Sequence, residues 1–276
     1  MTGTKSGHAV IRLNPENPVN LAKTLDCGQA FRWKQSEGNR WRGIAGGRVL
    51  ELEVSGGELV LFDTPQADLP LWRRYFDLDR DYAPIFELGA EHPLLPRIFE
   101  AGRGIRLLNQ DTFEAICSFI ISANNNIPRI KGIIERLCRL CGRQIGPDDY
   151  DFPAAESLCG LAVEDLAPIR AGFRAKYIID AAIKVASGQV AAGELRSLGT
   201  EEARKLVMTI KGVGPKVADC ALLFGAGHID CFPRDVWINR AMDTMFKDGL
   251  PDSLLPYAGI VQQYMFDYIR NLKNIN

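Results

Sequence analysis

The sequence predicts an α+β protein, in which an N-terminal antiparallel β-sheet domain of residues 1–102 precedes a helical domain of residues 103–276. Short apolar segments separated by glycine pairs predict sheet in the first hundred residues. After Asp79, apolar residues recur every three or four positions, which predicts helices. The 276 residues are 46% hydrophobic and 24% charged, a composition that suits a globular chain with a sizeable core.

The predicted strands are short and end at turn residues. Leu50, Leu52 and Val54 alternate with polar residues, which is the period of a strand buried on one face. Gly46-Gly47 and Gly56-Gly57 supply the positive φ angles of tight hairpins. We expect an antiparallel meander of strands near 30–35, 41–45, 48–54 and 58–62.

The helical domain begins with an apolar segment that a polar residue can cap. In TFEAICSFII, residues 112–121, apolar side chains recur at helical spacing, and Asp111 or Thr112 is placed to cap the first turn. Further helices are predicted at about 128–141, 154–159, 163–168, 174–187, 200–210, 215–224, 234–246 and 256–271.

Composition argues against a membrane, secreted or disulfide-rich protein. No run of 18 apolar residues predicts a membrane span, and the N-terminus lacks the apolar core of a secretion signal. The seven cysteines are an odd number and are scattered, which predicts free thiols in a reducing compartment. The pair Cys138-x-x-Cys141 has no second ligand pair, so buried thiols are favoured over a zinc site.

The formal net charge is −1, which argues against a protein that coats nucleic acid generally. A local basic face is still compatible with that total. The segment RIKGIIERLCRLCGR, residues 129–143, is either such a face or an ordinary solvated helix surface, and the sequence leaves both open.

The segment IKGVGPKVADC, residues 210–220, joins two predicted amphipathic helices by a tight turn. Gly212 and Gly214 leave backbone N–H groups free at the start of the second helix, where the helix dipole also attracts phosphate. Such a contact positions a protein on DNA without reading its sequence. An ordinary helix–helix corner needs the same glycines, and Lys216 would then be solvated or paired with Asp219.

Another predicted helix start follows 19 residues after Lys216. Asp235, in CFPRDVWINR, is suited to cap that helix and could share a cleft with the lysine. An amine at a helix N-terminus in a partly apolar pocket has its ammonium form disfavoured, which favours a nucleophile. Neither phosphate binding nor folding requires both residues, so the presence of Lys216 together with Asp235 indicates a catalytic role.

Five motifs are spread over most of the chain: LDCGQAFRW (25–33), GIRLLNQDTFEAICSFIISANNNIPRI (104–130), GFRAKYI (172–178), GVGPKVADC (212–220) and FPRDVW (232–237). Together they resemble the helix–hairpin–helix/Gly-Pro-Asp superfamily of DNA base-excision glycosylases. Within it, the chain is similar to the 8-oxoguanine DNA glycosylases of the eukaryotic type. The resemblance implies a helix–hairpin–helix glycosylase domain for residues 103–276.

The same resemblance implies a bifunctional DNA N-glycosylase/AP lyase that flips 8-oxoguanine, paired with cytosine, out of duplex DNA. Lys216 would attack C1′ of the damaged nucleotide, displace the base and form a Schiff base, before β-elimination of the 3′ phosphate. Asp235 would stabilise the positive charge that develops on the deoxyribose and orient Lys216.

Four residues would hold the flipped base, again by resemblance. The carbonyl of Gly28 would accept a hydrogen bond from N7–H, which 8-oxoguanine has and guanine lacks. Cys220 and Phe266 would sandwich the base, and Gln262 would bond its Watson–Crick edge. Gln263 is a competing candidate for that last role.

The resemblance also implies contacts to the DNA that remains stacked. Asn124 would enter the vacated space and bond the orphaned cytosine, which Arg129 and Arg174 would also contact. Phe173 stands where relatives have tyrosine, so a stacking wedge is expected without a hydroxyl. Trp237 stands where many relatives have a histidine that contacts a DNA phosphate, so this contact is expected to change or move.

The hairpin in this family can hold a monovalent or calcium ion through backbone carbonyls, here those of Met208, Ile210 and Val213. No cofactor is otherwise expected, and the cysteines do not form an iron–sulfur motif. We expect a monomer that is not secreted and acts in the cytoplasm or nucleoid of a prokaryote or in the nucleus of a eukaryote. Two alternatives stay open: a glycosylase of this superfamily for another damaged purine, and a non-catalytic DNA-binding helix–hairpin–helix module.

Overall fold

The computed structural model describes residues 7–273 and confirms the predicted fold class, an antiparallel sheet followed by helices. The sheet has five strands in the order β1-β5-β4-β3-β2. They are β1 (Ala9–Arg12), β2 (Trp33–Gln35), β3 (Trp41–Ala45), β4 (Arg48–Ser55) and β5 (Glu58–Phe62). The predicted meander of β2 to β5 is confirmed. β1, which the sequence reading missed, pairs antiparallel with β5.

Twelve α-helices lie between Leu21 and Lys273 of the described residues. They are α1 (Leu21–Leu25), α2 (Leu69–Tyr75), α3 (Ala83–Leu88), α4 (Leu95–Gly102), α5 (Thr112–Ser122), α6 (Ile127–Cys141), α7 (Ala155–Leu158), α8 (Ala175–Ala186), α9 (Thr200–Val207), α10 (Pro215–Ala221), α11 (Val236–Met245) and α12 (Ala258–Lys273). Short 3-10 turns lie at Gln66–Asp68, Val163–Ile169, Gly172–Arg174, Leu195–Ser197 and Asp252–Tyr257, and a π-helical turn, Leu222–Ala226, extends α10.

Helices α1 and α2 lie before Asp79, in the part of the chain for which only strands were predicted, and that part of the prediction was wrong. Helices α3 and α4 follow Asp79, where helices were predicted, although no bounds were given for them. Helices α2, α3 and α4 each have proline in the first turn, a position where the missing N–H is not needed. The predicted helix at 163–168 is instead a 3-10 turn, which contains Pro168.

Two hydrophobic cores are described. One lies against the sheet and contains Trp33, Trp72 and Phe76. The other fills the helical region and contains Tyr264, whose ring lies so close to Gly102 that a Cβ there would be 2.6 Å from it. Helix α4 of the predicted first domain therefore packs on the C-terminal helix α12. The division between residues 102 and 103 stays a prediction.

Helix α5 positions the site. Asp111, one of the two residues predicted for this cap, accepts from the Glu114 N–H at 2.9 Å, and Phe113 to Ile121 are buried except Glu114, which is half-buried. A Cβ on Gly225 would lie 2.8 Å from Ala115, so glycine lets the end of the α10 segment approach α5 closely. Within residues 7–273, no helix is long and apolar enough to cross a membrane.

Candidate active site

Four distant segments meet around one small pocket. The loop before β2, helix α10, the loop before α11 and helix α12 each contribute residues singled out from the sequence. Of those residues, the lining includes Gly28, Lys216, Cys220, Asp235, Gln262 and Phe266. The structure therefore brings both predicted catalytic residues and all four predicted base-binding residues to one place.

Lys216 is the second residue of α10 and is half-buried. Its Nζ lies 5.5 Å from the centroid of the Phe119 ring, and its ammonium interacts with the Cys220 thiol. Asp219 accepts a hydrogen bond from Arg204 Nε at 2.6 Å. The partner of Asp219 in the structure is thus Arg204, and Lys216 lines the pocket.

Asp235 is the N-cap of α11, as its position in the sequence predicts. Its Oδ1 accepts from the Ile238 N–H at 2.8 Å. The same residue lines the pocket together with Lys216, so Asp235 combines a structural role with a place in the candidate site. Pro233 precedes it in the pocket wall.

Cys220 lies one turn after Lys216 and is buried. Burial raises the pKa of its thiol to about 11, although the neighbouring Lys216 charge opposes that rise. A thiol that stays neutral at physiological pH is a poor nucleophile. Cys220 is thus suited to form a pocket wall opposite an aromatic ring such as Phe266.

The two adjacent glutamines of α12 have different surroundings. Gln263 Nε2 donates to the Cys27 carbonyl at 3.2 Å and to Cys27 Sγ at 3.0 Å. Gln262 is also buried, and among the described residues its Oε1 has no hydrogen-bond partner. A buried amide oxygen without a partner is costly unless a ligand completes it. This favours Gln262 over Gln263 for contact with a bound base.

Gly28 has φ of +82°, in the region that favours glycine. A Cβ there would meet Ile127 and Phe266 only at 3.9 Å, so the backbone conformation, rather than crowding by protein atoms, demands glycine. Five further residues line the pocket: Cys27, Phe119, Phe224, Pro233 and Gln263. Cys27, Phe119 and Pro233 lie inside the motifs at residues 25–33, 104–130 and 232–237, so these motifs could have identified them from the sequence.

A second predicted group lies between α5 and α8 and outside this pocket. Asn124 is exposed with φ of +50°, and Phe173 is 59% exposed. Arg174 is buried and donates from Nε to the Ala123 carbonyl at 3.1 Å and from Nη2 to the Asn124 carbonyl at 3.1 Å. Burial and then the nearby charge of Arg129 lower the pKa of Arg174. The four residues form one cluster.

The hairpin turn uses its two glycines differently. Gly212 has φ of +79°, and a Cβ there would lie 2.4 Å from the Tyr177 ring. Gly214 has φ of −99° and open space around it. Trp237 is half-buried, and the Arg240 guanidinium lies 5.6 Å from the centroid of its ring. An arginine on the same helix thus supplies positive charge beside the indole.

The basic segment 129–143 is largely neutralised within the protein. Lys131 pairs with Asp26 at 3.1 Å, and Arg143 lies 3.7 Å from Asp151. Arg136 donates to the Ile169 carbonyl. These partners favour the ordinary reading of an ion-paired helix surface, with Arg129 as the exception because it belongs to the Asn124 cluster.

The hairpin ion stays a prediction. Met208, Ile210 and Val213 follow the end of α9, where the last carbonyls of a helix lack intrahelical partners. The Lys184 ammonium donates to the carbonyl of Thr209 in this turn, so the turn already attracts a cation. Carbonyl oxygens are suitable ligands for a hard cation, and the donor set fits. No group of three or more His, Cys, Asp or Glu able to hold a metal occurs within residues 7–273.

Known proteins match the chain over nearly its whole length. Residues 10–116 match the model of the 8-oxoguanine DNA glycosylase N-terminal domain, and residues 117–248 match that of the HhH-GPD superfamily of base excision DNA repair proteins. A probable N-glycosylase/DNA lyase of Methanothermobacter thermautotrophicus is 30% identical over 93% of this chain and 92% of its own.

Two solved structures are similar throughout. That of MBOgg1 with a low-affinity DNA ligand has a TM-score of 0.90 and 40% identity, and covers 98% of each chain. The 8-oxoguanine glycosylase/lyase of Clostridium acetobutylicum, in complex with double-stranded DNA containing cytosine opposite 8-oxoguanine, has a TM-score of 0.88. It is 34% identical and covers 99% of this chain and 98% of its own.

Proposed function

This chain belongs to the 8-oxoguanine DNA glycosylase family of the HhH-GPD base-excision superfamily, and we propose that it excises 8-oxoguanine opposite cytosine from duplex DNA as a bifunctional N-glycosylase/AP lyase. The observation that carries this proposal is the meeting of Lys216 and Asp235 in one pocket with a buried, unpartnered amide oxygen on Gln262. A phosphate-binding module needs no such pocket.

The proposed chemistry begins with the flipped nucleotide. Lys216 reacts as the neutral amine, after its ammonium has lost a proton, and its Nζ forms a bond to C1′ as the bond from C1′ to the base breaks. The base leaves with the electron pair and takes up a proton, and Nζ loses a proton after the bond has formed. The sugar ring then opens to give a Schiff base. Loss of a proton from C2′ and departure of the 3′ phosphate with its electron pair complete β-elimination. Asp235 stabilises the positive charge that develops on the sugar.

Base recognition uses the residues that surround the amine. Gln262 Oε1 accepts from the Watson–Crick edge of the base, which presents N–H donors. Cys220 and Phe266 stack on its two faces, and the Gly28 carbonyl accepts from N7–H. Guanine has a lone pair at N7, which repels a carbonyl oxygen, so this single contact distinguishes the lesion.

Duplex contacts come from the second cluster and the hairpin. Asn124, Arg129 and Arg174 contact the orphaned cytosine, and Phe173 stacks as the wedge without a hydroxyl. The backbone N–H groups after Gly212 and Gly214 bind a phosphate. At Trp237, the indole itself carries no charge, and Arg240 supplies the positive charge to the phosphate.

The proposal also includes a monomeric protein that acts where the cell's DNA lies, in nucleoid or nucleus. It requires no cofactor, and an ion at Met208, Ile210 and Val213 is structural. One protein per lesion duplex in size-exclusion chromatography coupled to light scattering is the expected stoichiometry.

Borohydride trapping tests the proposed function. Duplexes carrying 8-oxoguanine opposite each of the four bases are incubated with the protein and borohydride, which reduces a Schiff base to a stable adduct. We expect an adduct opposite cytosine that is lost in Lys216→Gln and retained in Lys205→Gln, a change of an exposed lysine on α9. An absent wild-type adduct on 8-oxoguanine, with an adduct on another damaged purine, would contradict the proposed substrate. No adduct on any lesion would contradict the enzymatic function.

A further inference from the structure

The peptide groups around Gly28 are held by buried hydrogen bonds that the proposed chemistry does not itself use. Cys27 is 3% exposed and Gln29 is fully buried. Gln29 Nε2 donates to the Thr24 and Arg106 carbonyls, both at 2.8 Å. Its Oε1 accepts from the Leu108 N–H at 2.9 Å. The segment on the C-terminal side of Gly28 is therefore anchored to the chain that leads into α5.

The segment on the N-terminal side is anchored to α12 instead. Gln263 Nε2 donates to both the carbonyl and the sulfur of Cys27, at 3.2 and 3.0 Å. The two residues are separated by 236 positions, so this bond joins the first motif to the last helix. Gln263 is itself 3% exposed, and water competes little for its amide.

The sulfur of Cys27 is the centre of this arrangement. It donates to the Thr24 carbonyl at 3.4 Å and accepts from Gln29 Nε2 at 3.4 Å and from Gln263 Nε2. Burial raises the pKa of the thiol to about 11, so it keeps the proton that it donates.

The carbonyl of Gly28 lies between these two anchors. Cys27, which precedes it, is bonded through its carbonyl and its sulfur to Gln263. Gln29, which follows it, is bonded to the carbonyls of Thr24 and Arg106 and to the Leu108 N–H. Because the residues on both sides of Gly28 are fixed by buried hydrogen bonds, the peptide groups of Gly28 are restrained, and the direction of its carbonyl is restrained with them.

From these contacts we infer that Gln263 and Cys27 are positioning residues for lesion recognition, which hold the Gly28 carbonyl where it accepts a hydrogen bond from the lesion. The inference rests on the proposed function. It gives the two adjacent glutamines of α12 different roles: Gln262 contacts the base, and Gln263 fixes the backbone whose carbonyl recognises it.

The inference predicts a split between the two activities of the enzyme. Excision of 8-oxoguanine depends on the base contact, and a hydrogen bond weakens steeply as its geometry departs from the favoured range. Cleavage at a preformed abasic site uses Lys216 but has no base to read. Loss of the hydrogen bonds from Gln263 to Cys27 should therefore slow excision. The rate of cleavage at the abasic site should stay within about twofold of the wild-type rate.

Gln263→Met is the principal variant, because methionine has similar length and no amide. We expect its single-turnover excision rate on 8-oxoguanine opposite cytosine to fall by about 10- to 100-fold, the scale of a small misplacement of a recognition group. Cys27→Ala, which removes the sulfur but leaves the carbonyl, should lose less. Since both act through one contact, their losses in the double variant should not multiply. Tyr264→Phe is the matched control on α12, because it removes only a hydroxyl that bonds the Ile105 carbonyl.

Slower excision by Gln263→Met with retained cleavage at the abasic site supports the inference. If Gln263→Met does not fold, the same result for Cys27→Ala supports it. Unchanged excision, or a parallel fall in both activities, overturns it. A wild-type protein that does not excise 8-oxoguanine overturns the proposed function, and this inference with it, before any variant is made.

Discussion

The guanidinium of Arg174 donates to the backbone carbonyl of Asn124 at 3.1 Å, while Asn124 itself has φ of +50°. Asparagine tolerates this left-handed conformation better than most residues, but it still needs support from its surroundings. Arg174 gives that support from a site that is only 4% exposed. In the free protein, the arginine predicted to contact cytosine therefore holds the loop that carries the predicted space-filling asparagine.

Arg174→Lys should lower both stability and opposite-base selectivity. Lysine keeps the charge but loses the planar fork that serves two carbonyls. We expect the free energy of unfolding to fall by about 1–3 kcal/mol, because a single ammonium cannot bond the carbonyls of Ala123 and Asn124 in the geometry of the guanidinium. Preference for cytosine over adenine opposite the lesion should also shrink. Urea denaturation and single-turnover excision measure the two effects.

Arg129→Lys serves as the comparison, since Arg129 is exposed and its replacement should change stability by less than about 0.5 kcal/mol. An Arg174→Lys protein as stable as wild type would show that the loop does not depend on the guanidinium.

The two hairpin glycines should differ sharply when each is replaced by alanine. At Gly212, alanine would be strained at φ of +79° and would collide with the Tyr177 ring. We expect a loss of about 2 kcal/mol or more in the free energy of unfolding. At Gly214, which is the N-cap of α10 with open space around it, the loss should be about 1 kcal/mol or less. Thermal unfolding of both variants compares them, and equal losses would contradict this account.

The hairpin also shows how far sequence patterns reach. Glycine spacing and apolar periodicity predicted the turn and both helices, because these signals are local. The crowding at residue 212 comes from Tyr177, whose ring lies on another helix, α8. No local sequence pattern contains that contact, so the sequence analysis gave Gly212 and Gly214 the same role.

The choice between Gln262 and Gln263 has the same origin. Adjacent residues on a helix point about 100° apart, so the two side chains meet different partners although both line the pocket. Which of them keeps an amide oxygen without a partner depends on how α12 packs against the loop at Cys27, 236 positions away from Gln263. By contrast, the caps at Asp111 and Asp235 depend on three-residue spacings and could be predicted.

Glu114 should make stability depend on pH. Its side chain is only 12% exposed, and this partial burial raises the pKa of its carboxyl to about 7, although the neighbouring Arg32 opposes the rise. The group binds a proton more tightly in the folded than in the unfolded protein, so its stabilising contribution is present below pH 4.5 and is lost as pH rises toward 7. The shift corresponds to about 3 kcal/mol at most. Glu114→Gln should therefore gain stability relative to wild type as pH rises.

Urea denaturation of both proteins between pH 4 and about 8 measures this difference, which is independent of any constant cost of removing the partner of Arg32. A difference in unfolding free energy that stays constant across this interval, or that changes in the opposite direction, would exclude a raised pKa at Glu114.

Asp235 should allow its two roles to be separated. Its Oδ1 caps α11 through the Ile238 N–H, and its charge lies in the pocket with Lys216. Asparagine is an equally good N-cap but is neutral. Asp235→Asn should thus change the free energy of unfolding by less than about 0.5 kcal/mol, yet slow excision by about 100-fold or more. Asp235→Ala should slow excision by a similar factor and should also lower the free energy of unfolding by about 1 kcal/mol.

Chemical denaturation and single-turnover excision of 8-oxoguanine opposite cytosine, both measured on the two variants, separate these effects. Retention of full excision by Asp235→Asn would mean that the carboxylate acts only as a cap.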